Sequence, residues 1–413
     1  MRKVPLLAIA VAVSILGVGC ARSSDPSGSA PAPQDVLFVR NDRSVTLVRD
    51  LPDGDAVRMS GAVPALDWSA VVQASVDDRV TSVTAVDTSS GKELWAEDVP
   101  GTFDAKVASS DARYVALGPP GDGTGYPIGR TTTPLVVLRA DGSGPSTYQL
   151  EGNYEPEAFS SDGKSLFVIE YLPPRNPTSY QVRRLELTTG EVVGVYTPHE
   201  ELQEAMEGTA RIQAASPDGR RLYTLYSFRD AQGTPHAFIH VLDLRDLWAH
   251  CINLPGSFAT SPQKAMAITV APSGDTVYVA DAAADVVAQV DTRSLSVART
   301  SDVDFGVSGF PAQVAVGSND VLYVSSGTRL LAVDPATLTQ RRTWYMTEDI
   351  TGLQPANDGR RLYVGLKDQI VMIDTASGQE VGTLTPADLG RIGQLGQTTR
   401  LPGEPPSDFT CAC

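Results

Sequence analysis

Along most of the chain, apolar and polar positions alternate in runs of four to eight residues, and each run stops at a short polar turn. The run Arg-Leu-Tyr-Thr-Leu-Tyr, starting at Arg221, follows Ser216-Pro217-Asp218-Gly219. Thr-Val-Tyr-Val-Ala-Asp from Thr276 follows Pro272-Ser273-Gly274-Asp275, and Arg-Leu-Tyr-Val-Gly-Leu from Arg361 follows Asn357-Asp358-Gly359. A period of two places every second side chain on one face, so these runs read as half-buried β-strands. Residues 199–206 (HEELQEAM) and 386–389 read as brief helical turns.

The same phrase recurs. A second strand ends on Asp or its equivalent and runs into a turn at Asp50, Asp87, Arg139, Leu187, Asp243, Asp291, Asp334 and Asp374, Gly-bearing after several of them. The eight copies lie about 37 to 56 residues apart, the length of a four-stranded propeller blade. Seven stretches between residues 62 and 385 carry all four strands, while residues 36–60 carry only the last three. The missing first strand is expected from the segment around residues 391–399, which pairs the chain ends and removes an open sheet edge. The expected fold is therefore an all-β propeller, with eight four-stranded blades favoured over seven. The repeated Asp accepts hydrogen bonds from turn amides and Gly takes the positive φ of the turn, so both serve the scaffold.

Of 413 residues, 42% are hydrophobic, enough for a large core, and 36 Gly and 29 Pro supply the turns. The net charge of −16 argues against nucleic acid as a partner, because that binding rests on Lys and Arg neutralising phosphates. The start of the chain has a different character. Arg2 and Lys3 precede an apolar stretch of about 15 residues, too short for a comfortable membrane span. It ends in Leu16-Gly17-Val18-Gly19-Cys20. That sequence resembles a bacterial lipobox, with Gly17 where the motif prefers Leu. The resemblance implies a signal peptide over 1–19, a diacylated Cys20, and a Ser/Pro/Ala tether over 20–34. The propeller then occupies 35–400, and 401–413 form a tail. The implied location is the outer face of a cell membrane, held by lipid, with secretion as the alternative.

The pairing of Asp-Gly-x-x-Leu/Val-Tyr-Val with Val/Ile-Asp-Thr resembles the YVTN-type propeller repeat of bacterial surface and periplasmic proteins, best at 276–291 and 361–378. Residues 83–99 (VTAVDTSSGKELWAEDV) are similar to the quinoprotein-type repeat, which implies that Trp95 packs on the neighbouring blade. Both repeats specify a scaffold. A single Trp-type blade and the lack of adjacent cysteines set the chain apart from quinone-dependent dehydrogenases.

The cysteines are Cys20, Cys251, Cys411 and Cys413. In an oxidising compartment, Cys251 is expected to pair with Cys411 or Cys413. The tail after Leu401 spans roughly 40 Å when extended. Such a bond, closing about 160 residues, stabilises by roughly 4–5 kcal/mol in the chain-entropy model. A Cys411–Cys413 bond and intermolecular pairing remain open. His250, Cys251, Cys411 and Cys413 together would offer soft ligands for copper or zinc, although no cofactor is the preferred expectation. His236 and His240 share one strand face. His199-Glu200-Glu201 lacks the second His of a zinc-protease motif.

The departures from the repeat are three long loops, 119–133, 172–180 and 228–235, each between the second and third strands of a blade. Equivalent loops share one propeller face, and long loops carry function more often than strands do. The residues expected on that rim are Tyr126, Arg130, Arg175, Tyr180 and Arg229. The expected function is a non-enzymatic binding or scaffold module, monomeric, for an envelope protein or peptide, or for a small molecule. A metal-dependent hydrolase or lactonase with its site in the central channel is the alternative. A redox or copper sensor using the Cys-ended tail is the third reading.

Overall fold

A computed structural model describes residues 35–41, 44–49, 55–121, 127–198, 206, 212–229, 232–259, 265–306, 311–385, 389, 392 and 394–397. They form eight four-stranded antiparallel sheets arranged as blades. Blades 2 to 8 occupy 62–100, 104–151, 153–194, 212–253, 266–302, 312–345 and 352–384 in turn, each as four strands in sequence order. Blade 1 takes three strands from 37–60 and its innermost strand, Gln394–Gln397, from the other end of the chain. Leu37 sits opposite Gln397 and Arg40 opposite Gln394. Eight blades and closure by the C-terminal segment both match the reading of the repeat.

Each blade is buried on both faces, so the core is divided among eight seams. Val279 and Ile268 of blade 6 pack on Leu225 and Ile239 of blade 5, and Leu353 and Val364 of blade 8 pack on Tyr323 and Leu330 of blade 7. The turns perform the expected local work. The Asp291 carboxylate accepts the Ser294 amide at 2.6 Å, Asp374 accepts that of Ser377 at 2.7 Å, and Asp218 accepts that of Arg220 at 3.1 Å. Trp95 on the outer strand of blade 2 donates its indole N–H to the Ala112 carbonyl of blade 3 at 2.9 Å, as the quinoprotein-type resemblance implies.

The helical reading of 199–206 falls outside the described residues except for Met206, whose backbone pairs with Tyr180 at 2.9 and 2.7 Å. The turn at 386–389 is likewise outside them, apart from the buried Leu389.

The closing strand is locked by shape. A Cβ on Gly352 would lie 2.8 Å from the Leu395 backbone nitrogen and 2.9 Å from its Cγ, so only glycine lets blade 8 approach this closely. Leu395 is buried with Ile370, Leu389 and Ile392. Leu395→Ala should therefore cost about 2–5 kcal/mol, the range for a truncated core leucine, read as a lower urea midpoint. A loss below about 0.5 kcal/mol would show that this contact does not hold the ring.

Candidate functional site

The first and third strands of each blade run toward one face, and the second and fourth run back. The second-to-third and blade-to-blade connections therefore share a rim, and the Asp-bearing turns lie opposite. All three long loops fall between second and third strands: after Tyr114–Gly118 in blade 3, after Ser165–Leu172 in blade 4 and after Arg221–Arg229 in blade 5. They occupy consecutive blades on one rim.

The first two loops are fastened together. The Arg130 amide donates to the Pro174 carbonyl at 2.9 Å. Asn153, 2% exposed at the start of blade 4, donates its side-chain amide to the carbonyls of Ile128 and Pro174, each at 3.0 Å. Gly129 lies so close to Arg175 that an added Cβ would fall 1.8 Å from that residue's carbonyl oxygen. A buried amide that finds two carbonyls fixes both, because leaving any of the three unpaired costs about 1–3 kcal/mol.

Aromatic rings join the second loop to the third. Tyr171 and Tyr180 face each other across the blade 4 hairpin with centroids 6.4 Å apart, and Phe228 and His236 stack across the blade 5 hairpin at 5.0 Å. Between these pairs the series continues through Tyr180 to Tyr226 at 5.3 Å, Tyr226 to Phe238 at 5.1 Å and Phe238 to Phe228 at 6.0 Å. These separations suit offset and edge contacts, each adding about 0.5–1.5 kcal/mol beyond burial.

Arg175 and Arg229 are exposed on the rim, and Arg130 is half-buried there. The Arg229 guanidinium donates to the Gly233 carbonyl at 3.0 Å. Tyr180 is 5% exposed and belongs to the ring series, so it positions the rim from beneath. Tyr126 lies outside the described residues, as do Cys20, Cys411 and Cys413. Sequence reading missed Asn153, whose single amide gives no pattern.

Cys251 is half-buried on the outer strand of blade 5. Its sequence neighbour His250 projects from the other face of that strand, since the side chains alternate. The imidazole directly across from Cys251 is that of His240. Gln213, Thr224, His240 and Cys251 form one row over all four strands of blade 5, and Gln213 reaches the blade 4 carboxylate of Glu157 at 2.7 Å. Among the described residues, no three His, Cys, Asp or Glu side chains gather as metal ligands. On the innermost strands, Glu157 accepts the Gln213 amide and Glu155 accepts the Tyr171 hydroxyl at 2.6 Å.

No family model matches the chain, and no curated protein does. Solved structures do. AztD from Citrobacter koseri, without ligand, is similar with 14% identity over 88% of this chain and 97% of its own, at a TM-score of 0.55. The dihydro-heme d1 dehydrogenase NirN, solved in complex with DHE, is similar with 17% identity over 89% of this chain and 75% of its own, at 0.54. At such identities the likeness concerns the fold, and 1076 solved chains share it to a significant degree, so fold alone selects no activity.

Burial pushes the His240 imidazole down from 6.5 to about 4, and the charge of His250 adds to this. The unfolded chain then binds more protons than the folded one, so stability falls as pH drops from the unfolded value toward the folded one. Between about pH 7 and pH 5 the loss assigned to this group is about 2 kcal/mol. Urea midpoints should show that increment in the wild type and lose it in His240→Gln. An equal drop in both proteins would reject the assignment.

Proposed function

We propose that this chain is a non-enzymatic binding or scaffold module, exported and lipid-anchored through Cys20 at the outer face of a cell membrane. It holds an envelope protein or peptide on the rim of blades 3 to 5. The observation that carries this reading is the joining of three long loops, on three consecutive blades, by Asn153 and by the ring series. Loops that served only as connections would need no such fastening. A surface fixed before binding loses less side-chain and loop freedom on association, which is where affinity is gained without added area. The lipid anchor rests on the lipobox-like segment ending at Cys20 and on the polar tether behind it.

A second reading, a soft-metal or redox sensor, has one specific observation behind it: His240 faces Cys251 directly. The tail cysteines Cys411 and Cys413 would have to complete such a site in place of His250. Monovalent copper binding that is lost in Cys251→Ser and in His240→Gln would favour it, and binding indifferent to both would exclude it.

The binding reading is tested by crosslinking the full chain in membranes and recovering what it holds. Removal of residues 122–126, or shortening of the loops at 173–178 and 230–234, should reduce recovery of a specific partner at least about tenfold, as expected where a few contacts dominate an interface. Thermal unfolding serves to confirm an intact ring in each variant. Unchanged recovery when all three loops are shortened would place the binding face elsewhere.

A further inference from the structure

The innermost strands hold a departure that the repeat does not require. Where the first strand of a blade pairs with the second, the register slips on blades 3 and 4 alone among the described strands. The slips fall between Ala105 and Val107 and between Pro156 and Ala158. The two β-bulges match. Pairing resumes at Val107 and at Ala158, each opposite the third residue of the second strand, Ala116 and Phe167. The extra residues are Lys106 and Glu157, and two positions before them stand Asp104 and Glu155. The innermost strands of the other six blades, 62–64, 212–215, 266–270, 312–316, 352–355 and 394–397, hold no charged residue. A bulge gives up ladder pairing and re-aims a side chain, and bulges are over-represented beside sites. Here neighbouring blades each use one to re-aim a charge, of opposite sign.

The surroundings of the two residues are built for exchange. The Lys106 stem crosses Gly118, where an added Cβ would lie 3.2 Å from both its Cγ and its Cε. Its ammonium stands 3.4 Å from the Asp104 carboxylate, whose side chain is 49% exposed. An ion pair so open to water contributes little, so a ligand carboxylate displaces Asp104 at small cost. Glu157 is buried and accepts the amide of the exposed Gln213 on blade 5. That contact and the one to Thr224 at 3.4 Å both use the amide nitrogen, which leaves the Gln213 carbonyl to accept from a ligand. An ammonium group has three donors, and Glu155, Glu157 and the Gln213 carbonyl are three acceptors. Solvent reaches this wall, since Lys106, Val107 and Glu155 are only half-buried.

We infer that the innermost strands of blades 3 to 5 bind a small zwitterion, its carboxylate on Lys106 and its ammonium among Glu155, Glu157 and Gln213. This site is separate from the rim proposed above and does not depend on it. A ligand of one sign uses one bulge, whereas a zwitterion uses both. Lys106 and Glu157 belong to successive sheets, and stacked sheets lie about 10 Å apart, so the two charges sit at opposite ends of the ligand. An ω-amino acid and a short free peptide share that chemistry.

Titration calorimetry on the full chain tests it, with 6-aminohexanoate and triglycine as the separated zwitterions. Glycine, hexylamine and hexanoate are the comparison ligands. At least one separated zwitterion should bind with Kd below about 1 mM, and the three comparison ligands at least about tenfold more weakly. Tighter binding of triglycine assigns the site to peptides, and tighter binding of 6-aminohexanoate to ω-amino acids. Lys106→Met and Glu157→Gln should each weaken binding at least about tenfold, as expected for a lost hydrogen bond to a charged group. Lys92→Met, an exposed lysine on an outer turn, should leave it within about twofold. Thermal unfolding checks that each variant is folded, and Glu155→Gln replaces Glu157→Gln should the latter not fold. Binding of both separated zwitterions weaker than about 1 mM would overturn the inference. So would equal binding of hexylamine or hexanoate, or folded Lys106 and Glu variants that bind as the wild type does.

Discussion

A blade buries its two faces only against two neighbours, so a row of blades is stable once the first meets the last. Here that meeting is the pairing of residues 37–40 with 394–397, strands separated by almost the whole chain. It supplies blade 1 with its inner strand, covers blade 8, and lets Asp35 enter the final seam. There its carboxylate accepts the Tyr363 hydroxyl at 2.8 Å and lies 3.5 Å from the Arg361 guanidinium. Burial, and the Asp35 charge after it, hold that hydroxyl protonated well above the ordinary tyrosine range. Closing so long a loop costs little more entropy than closing one half its length. Every seam on the way round therefore contributes to a single cooperative ring.

Much of this architecture was legible because it repeats. The turn at Ser216-Pro217-Asp218-Gly219 and the one at Asn357-Asp358-Gly359 solve the same local problem with the same residues, and the solution depends on nothing distant. Blade number followed from counting the strands that end at Asp50, Asp87, Arg139, Leu187, Asp243, Asp291, Asp334 and Asp374, and closure followed from the strand missing at residues 36–60. The placement of Trp95 was legible for a different reason, since its blade resembles a repeat in which that ring has a fixed neighbour. The turn at Asp111 shows that the pattern tolerates substitution. Ala112 stands there at φ 54°, as Trp68 and Asp320 do at 58° and 60° in blades 2 and 7, where blades 4, 5, 6 and 8 use Gly163, Gly219, Gly274 and Gly359.

The site was less legible because it lies between repeats. Alternation tells which face a side chain takes, but not which blade it meets or what waits there. His250 is next to Cys251 in sequence and on the opposite face in space, whereas His240, eleven positions earlier, is directly across from it. Tyr180 was expected on the rim from its place beside a long loop, yet it is one ring in a series that starts on blade 4 and ends on blade 5. Asn153 belongs to no pattern at all. Its importance follows from two carbonyls supplied by loops on either side, and only the folded chain brings those three groups together.

The seam between blades 4 and 5 shows how the two requirements are reconciled. Near the Asp-bearing turns it is mostly aliphatic, with Leu222, Leu242 and Val182 buried around a single ring, Phe167. Toward the rim it changes to Tyr180, Tyr226 and Phe238. Aliphatic packing is non-directional and tolerates small adjustments in blade angle. Ring contacts restrict both distance and tilt, since the quadrupoles favour only some arrangements. The half of the seam that sustains the ring is thus built from interactions indifferent to orientation, and the half beneath the long loops from interactions sensitive to it. Stability alone would have been served by aliphatic residues throughout. Rings at the rim are accounted for by a surface whose loops must keep a fixed relation to one another before anything binds.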